Sequence, residues 1–212
     1  VVEYASVTCP HCASFHEEIF PEIKANYIET GKVRFVFREF PTSPANLSVA
    51  GSMLARCAAD KQGADAYFMI LDALFKTQGN PYENTGWIYS DSPRDELLKI
   101  AAQAGMDADD FDACMKRQEL LDFLNENIKE GQEKYGISST PSFVLNGQTR
   151  HFSNAADFSE ALDAALPILD PETKEGLVDA LGRRSYTTSI AFGPTIGKNI
   201  ALGYLPHDYC EV

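Results

Sequence analysis

The stretch Val7-Thr8-Cys9-Pro10-His11-Cys12-Ala13-Ser14-Phe15 follows an apolar, strand-like run, Val1-Val2-Glu3-Tyr4-Ala5. It leads into apolar positions at helical spacing, Phe15, Ile19, Ile23 and Tyr27. A Cys-x-x-Cys at such a junction has a definite physical consequence. Cys9 falls at a helix N-terminus, where unpaired N–H groups and the helix dipole favour a thiolate. The thiolate is the form that attacks other sulfurs. Cys12 comes one turn later on the same face, within reach of a disulfide. Pro10 suits the first helical turn, where no N–H is needed. His11 can lend Cys9 a positive charge or a hydrogen bond.

Two other uses of the pair compete with a redox centre. A structural zinc site needs four ligands, commonly a second Cys pair or spaced histidines. The chain has no second Cys-x-x-Cys, and His16, the nearby third ligand, sits in the same short segment. A purely structural bridge across so short a loop would constrain the unfolded chain little.

Working outward, Pro21 is expected to kink or break the first helix, and Gly31 to end it. Residues 32–40, KVRFVFREF, alternate like a strand, and 41–44, PTSP, read as a turn. Helical periodicity runs through 46–61 and 64–77, then a loop at 78–86. A further helix covers 92–105, with Ser92 as N-cap and Pro93 at N1. Helical pattern continues to Gly136. The period then changes: 141–152 reads as two strands around Asn146-Gly147, a strong hairpin signal. An amphipathic helix at 154–167 closes this part. The order is strand, helix, strand, helical block, strand, strand, helix. It implies an α/β fold whose first half (1–45, βαβ) and second half (137–167, ββα) enclose an all-helical insertion (46–136).

The 212 residues, 44% of them hydrophobic and 23% charged, suit a soluble domain with a small appendage. No apolar run approaches the length needed to span a bilayer. A net charge of -13 opposes binding to nucleic acid or to an anionic membrane surface. Five cysteines are too few for a disulfide scaffold and leave one over if the others pair. The strand-like start at Val1, without a leader-like segment, reads as a processed end or a cut.

Cys-Pro-His-Cys after a strand, the helical insertion, and then Ile137-Ser138-Ser139-Thr140-Pro141-Ser142-Phe143 together resemble the DsbA family of thioredoxin-fold thiol:disulfide oxidoreductases. The resemblance spans about residues 1–167. It implies a periplasmic or otherwise extracytoplasmic enzyme. Such an enzyme donates its Cys9–Cys12 disulfide to folding proteins with free cysteines, and a DsbB-like membrane protein reoxidises it. No metal or organic cofactor is called for. A disulfide reductase or isomerase of the same fold is the nearest alternative, and a metal- or peptide-binding module without turnover is a third.

The resemblance also assigns residues. Pro141 is implied to be cis and to face the cysteines, leaving the Thr140 backbone free to pair with an extended substrate; an ordinary trans turn proline is the plainer alternative. Glu3 matches the position of a buried acid that relays the proton of the second cysteine. It could equally be a surface residue, or one paired with Lys32 or Arg38. Cys57 and Cys114, on separate helices of the insertion, match a second, non-catalytic disulfide of some bacterial members. Two buried free thiols are the alternative. His151, Trp87, Phe68, Phe75 and Phe123 read as surface or packing residues.

Residues 168–212 do not fit this pattern. Their run SYTTSIAFGPTIGKNIALGYLP resembles part of the C-terminal barrel of the glycine-cleavage T-protein and dimethylglycine dehydrogenase group. They read as an extension or fusion fragment without chemistry, and Cys210 within it as the leftover cysteine.

Overall fold

A computed structural model of the chain describes residues 1–166 and, beyond them, the paired strands Phe192–Gly193 and Lys198–Asn199. The barrel resemblance of the tail and the assignment of Cys210 lie outside the described residues. Four strands form the main sheet: β1 (Val2–Ala5), β2 (Val36–Glu39), β3 (Ser142–Leu145) and β4 (Gln148–Arg150), in the order β2-β1-β3-β4. β1 runs parallel to β2, with Glu3 opposite Phe37, and antiparallel to β3, with Glu3 opposite Phe143. The β3–β4 hairpin turns at Asn146 and Gly147, whose φ values of 48° and 81° are the left-handed pair that a two-residue turn demands.

Of the kink or break expected at Pro21, the break does not occur. α1 (Pro10–Ser14) and α2 (Phe20–Ile23) are joined through a π-helical turn at Phe15–Ile19, and a second π turn follows at Lys24–Ile28. The Phe20 N–H reaches back to the Phe15 carbonyl, so the wider turn accommodates a proline that cannot donate. β2 is also shorter than the expected 32–40. The N–H groups of Lys32 and Val33 both close onto the Tyr27 carbonyl, so pairing with β1 begins only where Val36 meets the Val1 carbonyl.

Between β2 and β3 lie α3 (Ala45–Gln62), α4 (Ala64–Lys76), the short α5 (Gly86–Tyr89), α6 (Pro93–Gln103), α7 (Ala108–Cys114) and α8 (Gln118–Tyr135); α9 (Ala155–Ala165) comes last. The expected loop at 78–86 ends in α5, which buries Trp87 and lets its indole N–H donate to the Leu74 carbonyl at 2.8 Å. Period-2 alternation divides the sheet residues. Tyr4 and Val144 pack with Phe40 and Ile137, beside Ile128 and Tyr135 near the end of α8. Phe143 joins Phe15, Ile23, Phe35, Phe158 and Leu162 in a second cluster. The largest cluster lies in the helical block and reaches Ala5, Val7, Cys9 and Cys12. Thus one continuous body of apolar side chains runs from the insertion to the Cys-x-x-Cys, and the insertion walls the site on one side.

Two buried carboxylates lie on this sheet. Glu39, at the end of β2, accepts from Arg56 of α3 at 2.6 Å, Tyr67 of α4 at 2.6 Å and Asn127 of α8 at 2.9 Å. Three helices of the insertion are thereby tied to one strand residue. Arg56 also lies over the Phe123 ring, 4.0 Å from its centroid. α7 and α3 are joined by a disulfide between Cys57 and Cys114, with Sγ–Sγ 2.00 Å and Cα–Cα 6.1 Å. Among the described residues, no helix is long and apolar enough to cross a membrane.

Candidate active site

Cys9 is the N-cap of α1, extended at φ -81° and ψ 121°, with Pro10 at the first helical position. Its backbone is held from three directions. The Cys9 N–H donates to the Ser6 carbonyl at 3.0 Å. Its own carbonyl accepts from Ala13 at 3.1 Å and from the Gln78 side chain at 3.1 Å, while Gln78 also donates to Val7 at 2.8 Å. Gln78 is buried, so its amide extends from the end of α4 to fix the loop that presents Cys9. A hydroxyl cluster supports the same loop: Ser6 meets Thr8 at 2.9 Å and Ser48 at 2.8 Å, and accepts from the Thr42 N–H at 3.2 Å.

Thr140 and Pro141 arrive from the far end of the chain. The Thr140–Pro141 bond is cis, and the Cys9 thiol donates to the Thr140 carbonyl at 3.4 Å. Ser43–Pro44 is also cis, within the segment 41–44 whose sequence has the character of a turn. Cys9 and Cys12 are free thiols. Cys12 is wholly buried, whereas Cys9 retains 8% of its surface.

The two sulfurs differ sharply in acidity. Cys9 is drawn down to about 5, chiefly by a hydrogen bond from Cys12. The Thr140 side chain and the main-chain N–H groups of Cys12 and His11 add to this, and burial opposes it. Cys12 moves the other way. Burial pushes it up first, then its donation to Cys9, then the negative charge of Glu3. The less deeply buried sulfur thus favours the thiolate and its fully buried neighbour the thiol.

The His11 side chain is exposed, and its main-chain N–H is among the groups that favour the Cys9 thiolate. Glu3 is wholly buried on β1, which removes the surface alternative. Its partner is neither Lys32 nor Arg38 but His16, whose Nε2 lies 2.9 Å and 3.2 Å from the two carboxylate oxygens. His16, the third ligand of the zinc alternative, therefore turns inward to Glu3. Among the described residues, no group of three His, Cys, Asp or Glu side chains could hold a metal ion.

A sequence profile of the family described as Thioredoxin matches residues 1–164. The chain belongs to the thioredoxin family. This thioredoxin-family chain is 35% identical over 176 residues to a Rickettsia prowazekii protein named "Putative protein-disulfide oxidoreductase", covering 82% of this chain and 59% of that one. It is 26% identical over 166 residues to disulfide bond formation protein D of Bacillus subtilis, covering 76% and 68%. Among solved structures it is similar to Wolbachia pipientis alpha-DsbA1, at 28% identity and a TM-score of 0.63, with 77% of this chain and 83% of that chain aligned. The chain spans about three fifths of the length of the Rickettsia relatives it matches. The architecture is the expected one, a thioredoxin fold with a helical insertion.

Gln78, Glu39 and the Ser6–Thr8–Ser48 cluster belong to no sequence motif. Gln78 lies in a segment of loop-like composition, where a buried amide leaves no periodic signal. Glu39 offers a faint one: an acid inside the alternating run 32–40, as Glu3 is inside 1–5.

Proposed function

We propose that this chain is a protein thiol:disulfide oxidoreductase that donates a Cys9–Cys12 disulfide to extracytoplasmic proteins during their folding. The asymmetry of the two sulfurs carries the reading. In the oxidised form, a substrate thiolate attacks the Cys9 sulfur, the more accessible of the two. The Cys9–Cys12 bond breaks, Cys12 leaves with the electron pair and takes up a proton, and a Cys9–substrate mixed disulfide forms. A second substrate thiolate then attacks the substrate sulfur and expels Cys9 as a thiolate. A leaving thiol held near a pKa of about 5 departs readily and stabilises the reduced enzyme, which makes the disulfide oxidising.

The Thr140–Pro141 segment is the natural cradle for the substrate. It sits against Cys9 and leads into β3 through Pro141, which cannot donate to a ladder, so an extended peptide can lie beside it by strand addition. Reoxidation requires an external disulfide or quinone-linked partner, and a DsbB-like membrane protein fits this role by family. The residues present demand no metal or cofactor.

Equilibration in glutathione buffers, with the oxidised fraction read by thiol trapping and mass spectrometry, tests the reading. The expected potential lies well above that of thioredoxin, ~-270 mV. A value at or below it would assign the chain to disulfide reduction. Stoichiometric thiol titration unchanged by a chelator is expected as well; two thiols released only by chelation would favour a metal-binding module.

A further inference from the structure

Any exchange cycle on Cys9 and Cys12 makes Cys12 gain a proton in one half and lose it in the other. Cys12 is sealed from solvent, so that proton needs a path. We infer that His16 is the solvent-side station of this path, with buried Glu3 as its inner station. The inference rests on the reading of Cys9–Cys12 as the redox pair and adds a residue to it.

Geometry carries the Glu3–His16 link, and electrostatics joins Glu3 to Cys12. Glu3 is wholly buried, and its charge bears on the Cys12 thiol. Both Glu3 oxygens are within hydrogen-bond distance of His16 Nε2. His16 follows Cys12 by one turn of the same helical run, so both side chains leave on one side. Unlike Glu3, the His16 side chain keeps 14% of its surface. It borders a shallow surface cavity with Ala13, Glu17, Asp72, Phe75 and Lys76. The ring is fixed in this orientation: it stacks on Phe75 at 4.4 Å and 16°, and Phe20 lies 4.8 Å away. The ionisable groups around it are Glu3 on β1, Glu17 on its own helical run, and the Asp72–Lys76 pair of α4, joined at 2.7 Å. An imidazole is the side chain suited to hand protons between a carboxylate and water near neutral pH.

In the outward direction, the Cys12 S–H gives its proton to the Glu3 carboxylate. The Cys12 thiolate attacks Cys9 in a mixed disulfide, and the partner sulfur leaves with the electron pair of the broken bond. Protonated Glu3 passes its proton to His16 Nε2, and His16 releases one to the cavity. The inward direction reverses these transfers when Cys12 is the leaving group. His16 touches neither sulfur; it acts through Glu3.

Quenched-flow mass spectrometry of the reduced full chain mixed with oxidised glutathione measures the lifetime of the Cys9–glutathione mixed disulfide, and hence the attack by Cys12. His16→Gln and Glu3→Gln are each expected to slow that attack by about tenfold or more at pH 6–7 and to alter its pH profile. His16→Lys places a cation beside Glu3 but exchanges protons poorly near neutrality, so it should be as slow as His16→Gln. His16→Ala should regain rate in proportion to added imidazole, which guards against a variant slow only through misfolding. A wild-type rate in His16→Gln or His16→Lys, or an unrescued His16→Ala, overturns the inference. A wild-type chain that forms no mixed disulfide at Cys9 fails at the earlier step, the redox reading itself.

Discussion

At the scale of residues, the site works by placing two identical side chains in unlike surroundings. Cys9 collects hydrogen bonds at a helix N-terminus, while Cys12 has burial and a nearby carboxylate. Alkylation of the reduced chain should therefore rise with pH through a midpoint near 5 at Cys9. Cys12 should stay unreactive across the range in which an ordinary thiol titrates. A single midpoint near 8–9, the ordinary thiol range, would contradict the asymmetry. The sign of the linked stability follows. Cys9 is more acidic folded than unfolded, so the reduced form gains stability as pH rises from about 5 toward the ordinary thiol value. It loses that stability as pH falls back through about 5. Urea titrations of reduced and oxidised protein at about pH 4.5, below this window, and about pH 7.5, well inside it, should show the reduced form gaining relative to the oxidised one. The Cys9 environment also ranks two substitutions. Thr140→Val removes a hydroxyl that favours the thiolate and should raise the Cys9 midpoint. His11→Ser keeps the main-chain N–H and should move it less. Thiolate absorbance against pH compares them directly, and a larger shift in His11→Ser would show that the imidazole outweighs the Thr140 hydroxyl.

At the scale of elements, the helix packing is tight where small residues permit it. α8 crosses the sheet at Gly131, where an added Cβ would lie 2.9 Å from Tyr4 Cε1. Tyr4 cannot easily withdraw: it is 1% exposed and lies between Phe40 and Tyr135. Gly131→Ala should gain roughly 1 kcal/mol in helix propensity but lose about 1–3 kcal/mol to overpacking. A lower urea midpoint with an unchanged slope is the expected result; a higher midpoint would show that the ring yields freely. The active-site helix makes a related point. Its π turn follows α1 directly and holds His16, so His16 and Cys12 lie on one continuous run.

At the scale of the whole molecule, the insertion is coupled to the sheet by charge as well as by apolar packing. Arg56→Met would leave the Glu39 carboxylate buried without its cation. Loss of one partner of such a pair costs about 3–5 kcal/mol, whereas replacing both with apolar groups often costs far less. Arg56→Met should therefore lower the Tm well below that of the Arg56→Met, Glu39→Leu double variant. Equal losses in both would show that the pair contributes little beyond its packing. The Cys57–Cys114 bridge closes a separation of 57 residues, worth roughly 4 kcal/mol in the chain-entropy account. Replacing both with Ala should lower stability by an amount of that order while leaving Cys9 and Cys12 able to form their own disulfide. Non-reduced peptide mapping and urea titration check the two halves of that statement.

Much of this protein is written locally. Helical and strand periods, the Asn146-Gly147 turn and the strand-to-helix placement of Cys-Pro-His-Cys depend on a few consecutive residues, and a linear pattern records them. Pro21 misleads as a break because a π turn is a local choice that periodicity at 3.6 residues does not encode. The partners of the buried polar groups are decided elsewhere. Glu3 meets His16 across 13 residues, Glu39 meets Arg56 across 17 and Asn127 across 88, and Cys9 meets Thr140 across 131. A buried charge or amide must be paired, but sequence alone leaves many candidates for the pairing. Only the packed fold selects among them, because it alone brings distant donors and acceptors within hydrogen-bond distance and excludes the water that would otherwise satisfy them.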